Sequence, residues 1–282
     1  MLPRRSLLHT FARRRQQTPL PSPASTMTKS PPSPTHSDEE NVRSTFDRFW
    51  TDQTDLGEID DTGSDILRLF EQEVPRIPGA SFLEVGSGSG RISLALARRG
   101  ARVTLLDNSQ AAIDLSKSIF ARSGQEATFV LASAFEMPLP DASFDVVWNS
   151  GVIEHFLFED QVRMLRDMLR VLKPGGTLIT FNPSHEGRVY RLAKYLLERT
   201  GKWPYGREIP IRTLKPHADL LGAHLVREFN AGFDLQFTYF LRRGIPVKDY
   251  FRRRPTLNSW MTRHVGGYLK VSVLRKASAT PH

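Results

Sequence analysis

Apolar and polar positions along this chain alternate between a strand period and a helix period. Ser81 to Gly86 is an apolar run of strand length, and after Gly90 the residues Ile92, Leu94 and Leu96 open a helical pattern. The same change of period recurs. Strands are predicted near 81–86, 102–107, 127–131, 143–149 and 176–182, and helices near 90–99, 110–122 and 159–171. Upstream, Val42, Phe46, Phe49 and Trp50 mark one helix, and Ile66, Leu67, Leu69 and Phe70 a second. Downstream, Val189–Leu197 and Leu214–Leu221 read as helices, and Trp203-Pro204-Tyr205-Gly206 as a turn. His224–Phe229 and Gly267–Leu274 read as a closing antiparallel hairpin, with a long aromatic and basic insert, Phe233–Arg263, between them. Strand and helix in alternation imply an α/β fold: a Rossmann-like, seven-stranded, mostly parallel sheet with helices on both faces.

The connection after the first strand carries the chemistry. Gly86-Ser87-Gly88-Ser89-Gly90 follows a strand and precedes a helix, and the next strand ends in Asp107, 21 residues after Gly86. Glycines let the backbone approach a ligand, and an acid at the end of the next strand can hold ribose hydroxyls. An adenosine-containing cofactor is expected. The Gly-x-Gly-x-Gly spacing differs from that of dinucleotide sites, and Arg91-Ile92 after Gly90 excludes a phosphate loop. Glu84 beside the turn would repel a pyrophosphate and suit a cationic ligand. S-adenosyl-L-methionine has a sulfonium and an ammonium and no phosphate.

On these residues the chain resembles the class I S-adenosylmethionine-dependent methyltransferases, from about Phe46 to Phe181. Leu83 to Gly90 is similar to the family's first motif, and Val103 to Asn108 to its second strand with the ribose-binding acid. Phe144 to Asn149 is similar to its fourth strand, whose end borders the methionine part of the cofactor. Leu172-Lys173-Pro174-Gly175-Gly176 is similar to the turn before its fifth strand. The resemblance implies cofactor binding by Glu84, Gly86, Ser87, Gly88, Gly90, Asp107, Asn108, Ser133, Ala134 and Asn149. Ser133 stands where the family often has an acid for the adenine amino group. A hydroxyl can accept that bond, and the Ala134 amide can serve a ring nitrogen.

Methyl transfer from a sulfonium is an in-line displacement, so alignment supplies most of the catalysis. An oxygen nucleophile also needs a base. His155, in Gly151-Val152-Ile153-Glu154-His155-Phe156, is the candidate; the alternative is that Glu154 and His155 brace the loop. This segment resembles a family subset, including quinone-biosynthesis O-methyltransferases, in which two glutamates and the histidine bind a divalent cation. Gly151 replaces the first glutamate and a hard cation loses a carboxylate, so no metal is expected. Asn182-Pro183-Ser184-His185 reads as a strand-ending turn, with His185 near the acceptor. Trp203, Tyr205, Phe233, Phe237, Tyr239 and Phe240 are candidate acceptor-pocket residues.

Charge divides the chain. The net charge of +9 is the sum of +6 over residues 1–37, −9 over 38–185 and +12 over 186–282. The expected division is a basic, unfolded segment over 1–37, lid helices over 38–75, a cofactor core over 76–185 and a basic acceptor cap over 186–282. Arg4, Arg5, Arg13, Arg14 and Arg15 with no acids resemble a mitochondrial transit peptide; the alternative is an upstream start, with Met27 the natural one. The preferred compartment is the cytoplasm, and the mitochondrial matrix is the alternative. Arg242-Arg243 and Arg252-Arg253-Arg254 can attract an anionic substrate, RNA or a membrane surface. With no cysteine, disulfides and thiolate metal sites are excluded. A small-molecule acceptor, anions included, methylated at oxygen is the preferred function. An RNA methyltransferase and a non-catalytic cofactor-binding partner are the alternatives.

Overall fold

The strands pack in the order β3-β2-β1-β4-β5-β7-β6 in one seven-stranded sheet. They are β1 (Ser81–Val85), β2 (Arg102–Asp107), β3 (Thr128–Leu131), β4 (Phe144–Ser150), β5 (Leu172–Pro183), β6 (His224–Ala231) and β7 (Leu269–Arg275). β1 pairs in parallel with β2 and β4, as do β2 with β3 and β4 with β5. β7 runs antiparallel to both β5 and β6. The expected α/β class and closing antiparallel pair are therefore present. This computed structural model describes residues 36–53, 59–238 and 247–276. The arginine-rich start, Met27, Tyr239, Phe240, Arg242 and Arg243 lie outside the described residues.

Alternation along the strands gives the sheet two buried faces. Phe82, Val146, Trp148, Ile179, Phe181, Val271 and Val273 face one side. There they meet α2 (Asp61–Glu73), α3 (Arg91–Ala97) and α4 (Gln110–Ser123). Phe70 of α2 is fully buried, with ring centroids 5.0 Å from Trp148, 5.4 Å from Phe181 and 6.0 Å from Phe82. Leu83, Val85, Val147, Leu178 and Leu274 face the other side, against α5 (Phe158–Val171) and α7 (Lys215–Leu221). Burying a side chain such as Leu83 contributes about 1.5–3 kcal/mol, so both layers hold the parallel strand ends in place.

Two regions differ from the expected boundaries. β5 begins at Leu172 rather than near 176, because Leu172 pairs with Phe144 before the register shifts across Lys173 to Gly176. The insert holds a 3₁₀ turn, Asp234–Phe237, followed by α8 (Val247–Arg252) and α9 (Pro255–Val265). Phe233 and Phe237 pack on Phe251 of α8, with centroids 4.9 and 5.9 Å away. The remaining helices are α1 (His36–Thr51), before the sheet, and α6 (Arg188–Arg199), after β5. Among the described residues, no helix is long and apolar enough to cross a membrane.

Candidate active site

The parallel strands β1, β2 and β4 end at one edge, and their following loops build a cavity there. Gly86 and Gly88 hold φ values of 70° and 50°, which an L side chain resists. Space is equally restrictive: a Cβ at Gly86 would lie 2.5 Å from Val152 Cγ2, and one at Gly88 would run into the Trp50 indole. The turn is tied to β2 by Gly86 N–H and Ser87 N–H, which donate to the Leu106 carbonyl over 2.8 and 3.1 Å. Asp107 accepts from the amides of Gly88 (2.8 Å) and Ser109 (2.9 Å). Burial pushes the Asp107 carboxyl upward in pKa, and these two amides oppose it.

Helix α1 roofs this cavity with Glu39, Val42, Phe46 and Trp50. Ser109 fixes the roof. Its hydroxyl caps α4 by accepting from Ala112 N–H and donates to Asp47 of α1 over 2.5 Å. The cavity encloses about 710 Å³ of empty space, its open mouth included, and is also lined by Gly86, Gly88, Asp107, Asn108, Ala134, Ser150, Gly151 and His155.

A second cavity, about 950 Å³ with its mouth, adjoins the first. The two share Phe46, Trp50, Ser150, Gly151 and His155. Its other walls include Phe49, Ile66, Phe181, Tyr190 and Tyr205, with the carboxyl groups of Asp60, Glu154 and Glu208 and, among the described residues, no Lys or Arg. His155 is held by its Nδ1, 2.6 Å from the Arg207 carbonyl. A carbonyl only accepts, so Nδ1 carries a proton, and in the neutral ring the lone pair is on Nε2. Glu154 is 2% exposed and accepts from Asn182 Nδ2 over 2.9 Å. Burial raises the pKa of its carboxyl; His155 opposes the shift and Glu208 adds to it. Glu208 itself is paired with Tyr190 Oη and Arg191, each at 2.5 Å.

Six of the expected site residues line the first cavity: Gly86, Gly88, Asp107, Asn108, Ala134 and His155. Ser133 lies in a neighbouring hollow with Asn108 and Arg43, its hydroxyl accepting from Phe135 N–H. Glu84 is on the Phe82 face of β1 and points at α3, accepting from Ser93 Oγ over 2.5 Å beneath the turn. Burial raises its pKa to about 8. Ser87 and Asn149 are buried behind the cavity, and Ser87 Oγ and Asn149 Oδ1 have no hydrogen-bond partner among the described residues. Gly90 packs away from the cavity, against Leu105. His185 and Trp203 line neither cavity, although Trp203 supports Tyr205 with ring centroids 5.2 Å apart. Sequence reasoning missed Asn182 as the partner of Glu154, and Glu208 and Tyr268 as walls of the second cavity. Among the described residues, no three His, Asp or Glu side chains converge as a metal cluster.

Residues 83–180 match the family model described as a methyltransferase domain. A ubiquinone biosynthesis O-methyltransferase of Coxiella burnetii (strain Dugway 5J108-111) is 30% identical over 61% of this chain and 80% of the relative. The chain belongs to the class I S-adenosylmethionine-dependent methyltransferases. The corresponding Hahella chejuensis enzyme is 26% identical over 72% of this chain and 91% of its own length. The methyltransferase GfsG of Streptomyces halstedii is 31% identical, but the chain spans only 47% of it. Among solved structures, a geranyl diphosphate C-methyltransferase from Streptomyces coelicolor A3(2) shares the fold. Its TM-score is 0.61 at 13% identity, covering 88% of this chain and all of that one. The cofactor of this methyltransferase is S-adenosylmethionine, which supplies a methyl group already activated on a sulfonium. The residues fit it: the glycine cradle has no room for side chains, and Ser87 Oγ and Asn149 Oδ1 leave buried polar capacity beside it.

Proposed function

We propose that this methyltransferase transfers the methyl group to a hydroxyl oxygen of a small, largely apolar acceptor. The carrying observation is the junction of the two cavities, where Phe46, Trp50, Ser150, Gly151 and His155 belong to both. The cavity under α1 takes the cofactor, with Gly86, Gly88, Asp107, Asn108 and Ala134 against it. Glu84, Ser87, Gly90, Ser133 and Asn149 support it from behind or at the rim. The aromatic cavity takes the acceptor. His155 Nε2, at the junction, is the base that removes the hydroxyl proton, with the ring held by the Arg207 carbonyl and the edge of Phe46, 5.1 Å away. The resemblance to ubiquinone biosynthesis O-methyltransferases supports oxygen as the target atom. On this reading, residues 38–75 roof the site, 76–185 hold the cofactor and 186–282 complete the acceptor wall.

The acceptor cavity disfavours an anionic acceptor, since among its described residues it offers three carboxyl groups and no Lys or Arg. RNA is disfavoured for a related reason. Arg252 pairs with Asp61, Asp65 and Asp234, Arg227 with Glu73 and Arg191 with Glu208, so part of the basic charge is internally neutralised. Calorimetric titration of S-adenosylmethionine should show binding that Asp107→Ala weakens and His155→Ala leaves intact. Isotope-labelled cofactor in metabolite extracts should yield an O-methylated product. His155→Ala should slow its formation about 10²–10⁴-fold. Absence of cofactor binding, or a product methylated at nitrogen or carbon, overturns this reading.

A further inference from the structure

Glu154 sits one residue before the proposed base, has its own place in the acceptor wall and is not used by the reaction as described so far. Its Oε2 accepts from Asn182 Nδ2, and its Oε1 lies 4.0 Å from His155 Nε2. A Cβ at position 151 would stand 3.6 Å from Oε1, so Oε1 lies beside Gly151, a residue of both cavities. Glycine at this position leaves that approach open.

Two polar atoms 4.0 Å apart are too far for a direct hydrogen bond but well spaced to share one atom between them. An oxygen about 2.8 Å from each subtends an angle of about 90°, close to what a hydroxyl oxygen tolerates between two partners. We propose that Glu154 and His155 grip the same acceptor oxygen: the Glu154 carboxyl donates a hydrogen bond to it while His155 Nε2 takes its proton. This grip makes Glu154 a residue that selects hydroxyl acceptors over amines. The inference rests on the methyl-transfer reading above and adds to it.

The selection follows from counting lone pairs. A hydroxyl oxygen has one O–H and two lone pairs. It donates to Nε2, accepts from Glu154 with one lone pair and keeps the other for attack. A neutral amine nitrogen has a single lone pair. If that pair accepts from Glu154, none remains to form the bond to carbon. In the reaction the free oxygen lone pair forms the C–O bond as the C–S bond breaks. The C–S electron pair returns to sulfur, so the sulfonium becomes a neutral thioether. The hydroxyl proton passes to Nε2 and from there to solvent.

The surroundings favour a protonated Glu154. Among the described residues, no lysine or arginine lines the acceptor cavity. Burial is the largest influence on the Glu154 carboxyl and raises its pKa; the charge of Glu208 acts the same way, while His155 in its protonated form and the Asn182 amide act against it. Asn182 donates to Oε2, which leaves Oε1 as the oxygen that carries the proton.

Wild type, Glu154→Gln and Glu154→Leu should be compared on matched probes: phenol against aniline, and benzyl alcohol against benzylamine, with labelled cofactor. The wild type should methylate the hydroxyl member of each pair faster by about tenfold or more. Glu154→Leu should lose about tenfold or more of the hydroxyl rate and narrow the preference. Glu154→Gln, which still offers an N–H donor, should fall between the two. Calorimetric cofactor affinity should be equal in all three, which separates loss of the grip from loss of fold. The infrared difference between wild type and Glu154→Gln at neutral pH should contain a protonated carboxyl band. Absence of that band overturns the grip while leaving O-methylation standing. So does Glu154→Leu with an unchanged rate and preference. Faster methylation of the amines by the wild type overturns both readings.

Discussion

Three acidic side chains in this site carry the same functional group and do different work because their surroundings differ. Asp107 accepts two backbone amides at the turn, Glu154 lines the second cavity, and Glu84 is buried against Ser93. Glu84 yields a pH prediction. Its pKa rises from the ordinary 4.5 to about 8 on folding, through burial first and the neighbouring charge of Asp107. The folded state therefore binds the extra proton between those values, and stability falls as pH rises from about 4.5 to about 8. Glu84→Gln removes that dependence. Thermal unfolding followed across this range should show a flatter profile for the variant; an equal slope in both proteins would contradict the assignment. The period of a strand already placed residue 84 on the face of Phe82, so this orientation was available from the pattern and was read instead as lying beside the ligand.

Elements place these residues, and the local elements were well foreseen. Each strand-turn-helix unit spans few residues, so its hydrophobic period and its glycines lie within one window of the chain. Helix α1 shows what such a window omits. Val42, Phe46 and Trp50 form a helical stripe, but nothing local says that the stripe covers a glycine turn near residue 88. That docking depends on Ser109, which caps α4 and holds Asp47. Ser109→Ala removes both bonds. It should lower stability by about 0.5–2 kcal/mol through the lost cap, and weaken S-adenosylmethionine binding further by loosening the roof. Denaturant unfolding measures the first effect and calorimetry the second; unchanged cofactor affinity would show that α1 closes without this tie.

Across the whole molecule, the basic final third is divided between internal ion pairs and the surface. Arg252 of α8 contacts Asp61, Asp65 and Asp234, joining the insert to the start of α2. Asp234 is 1% exposed, and an unpaired buried carboxylate is costly. Arg252→Ala should destabilise the protein by about 3 kcal/mol, whereas Arg263→Ala, at an exposed position of α9, should change stability by less than about 0.5 kcal/mol. Equal effects of the two in denaturant unfolding would mean that Arg252 serves the surface. The long insert was expected to wall the acceptor site. Among its described residues, Phe233 and Phe237 pack on Phe251, while the walls of the second cavity come from α1, α2, the end of β5, α6, the 205–208 turn and the start of β7.

The donor half of the reaction was determined by the sequence itself. A strand, a glycine turn, a helix and an acid-ended strand occupy residues 81–107, and this order and spacing point to an adenosine-containing cofactor. The second cavity, by contrast, was decided only by tertiary structure. The His155 tautomer depends on a carbonyl 52 residues away, Glu154 on an amide 28 residues away, and Arg252 on carboxylates 187 and 191 residues away. Periodicity reports which face of an element is buried. It does not report which distant side chain or carbonyl meets that face, and proton positions in this site follow from those meetings.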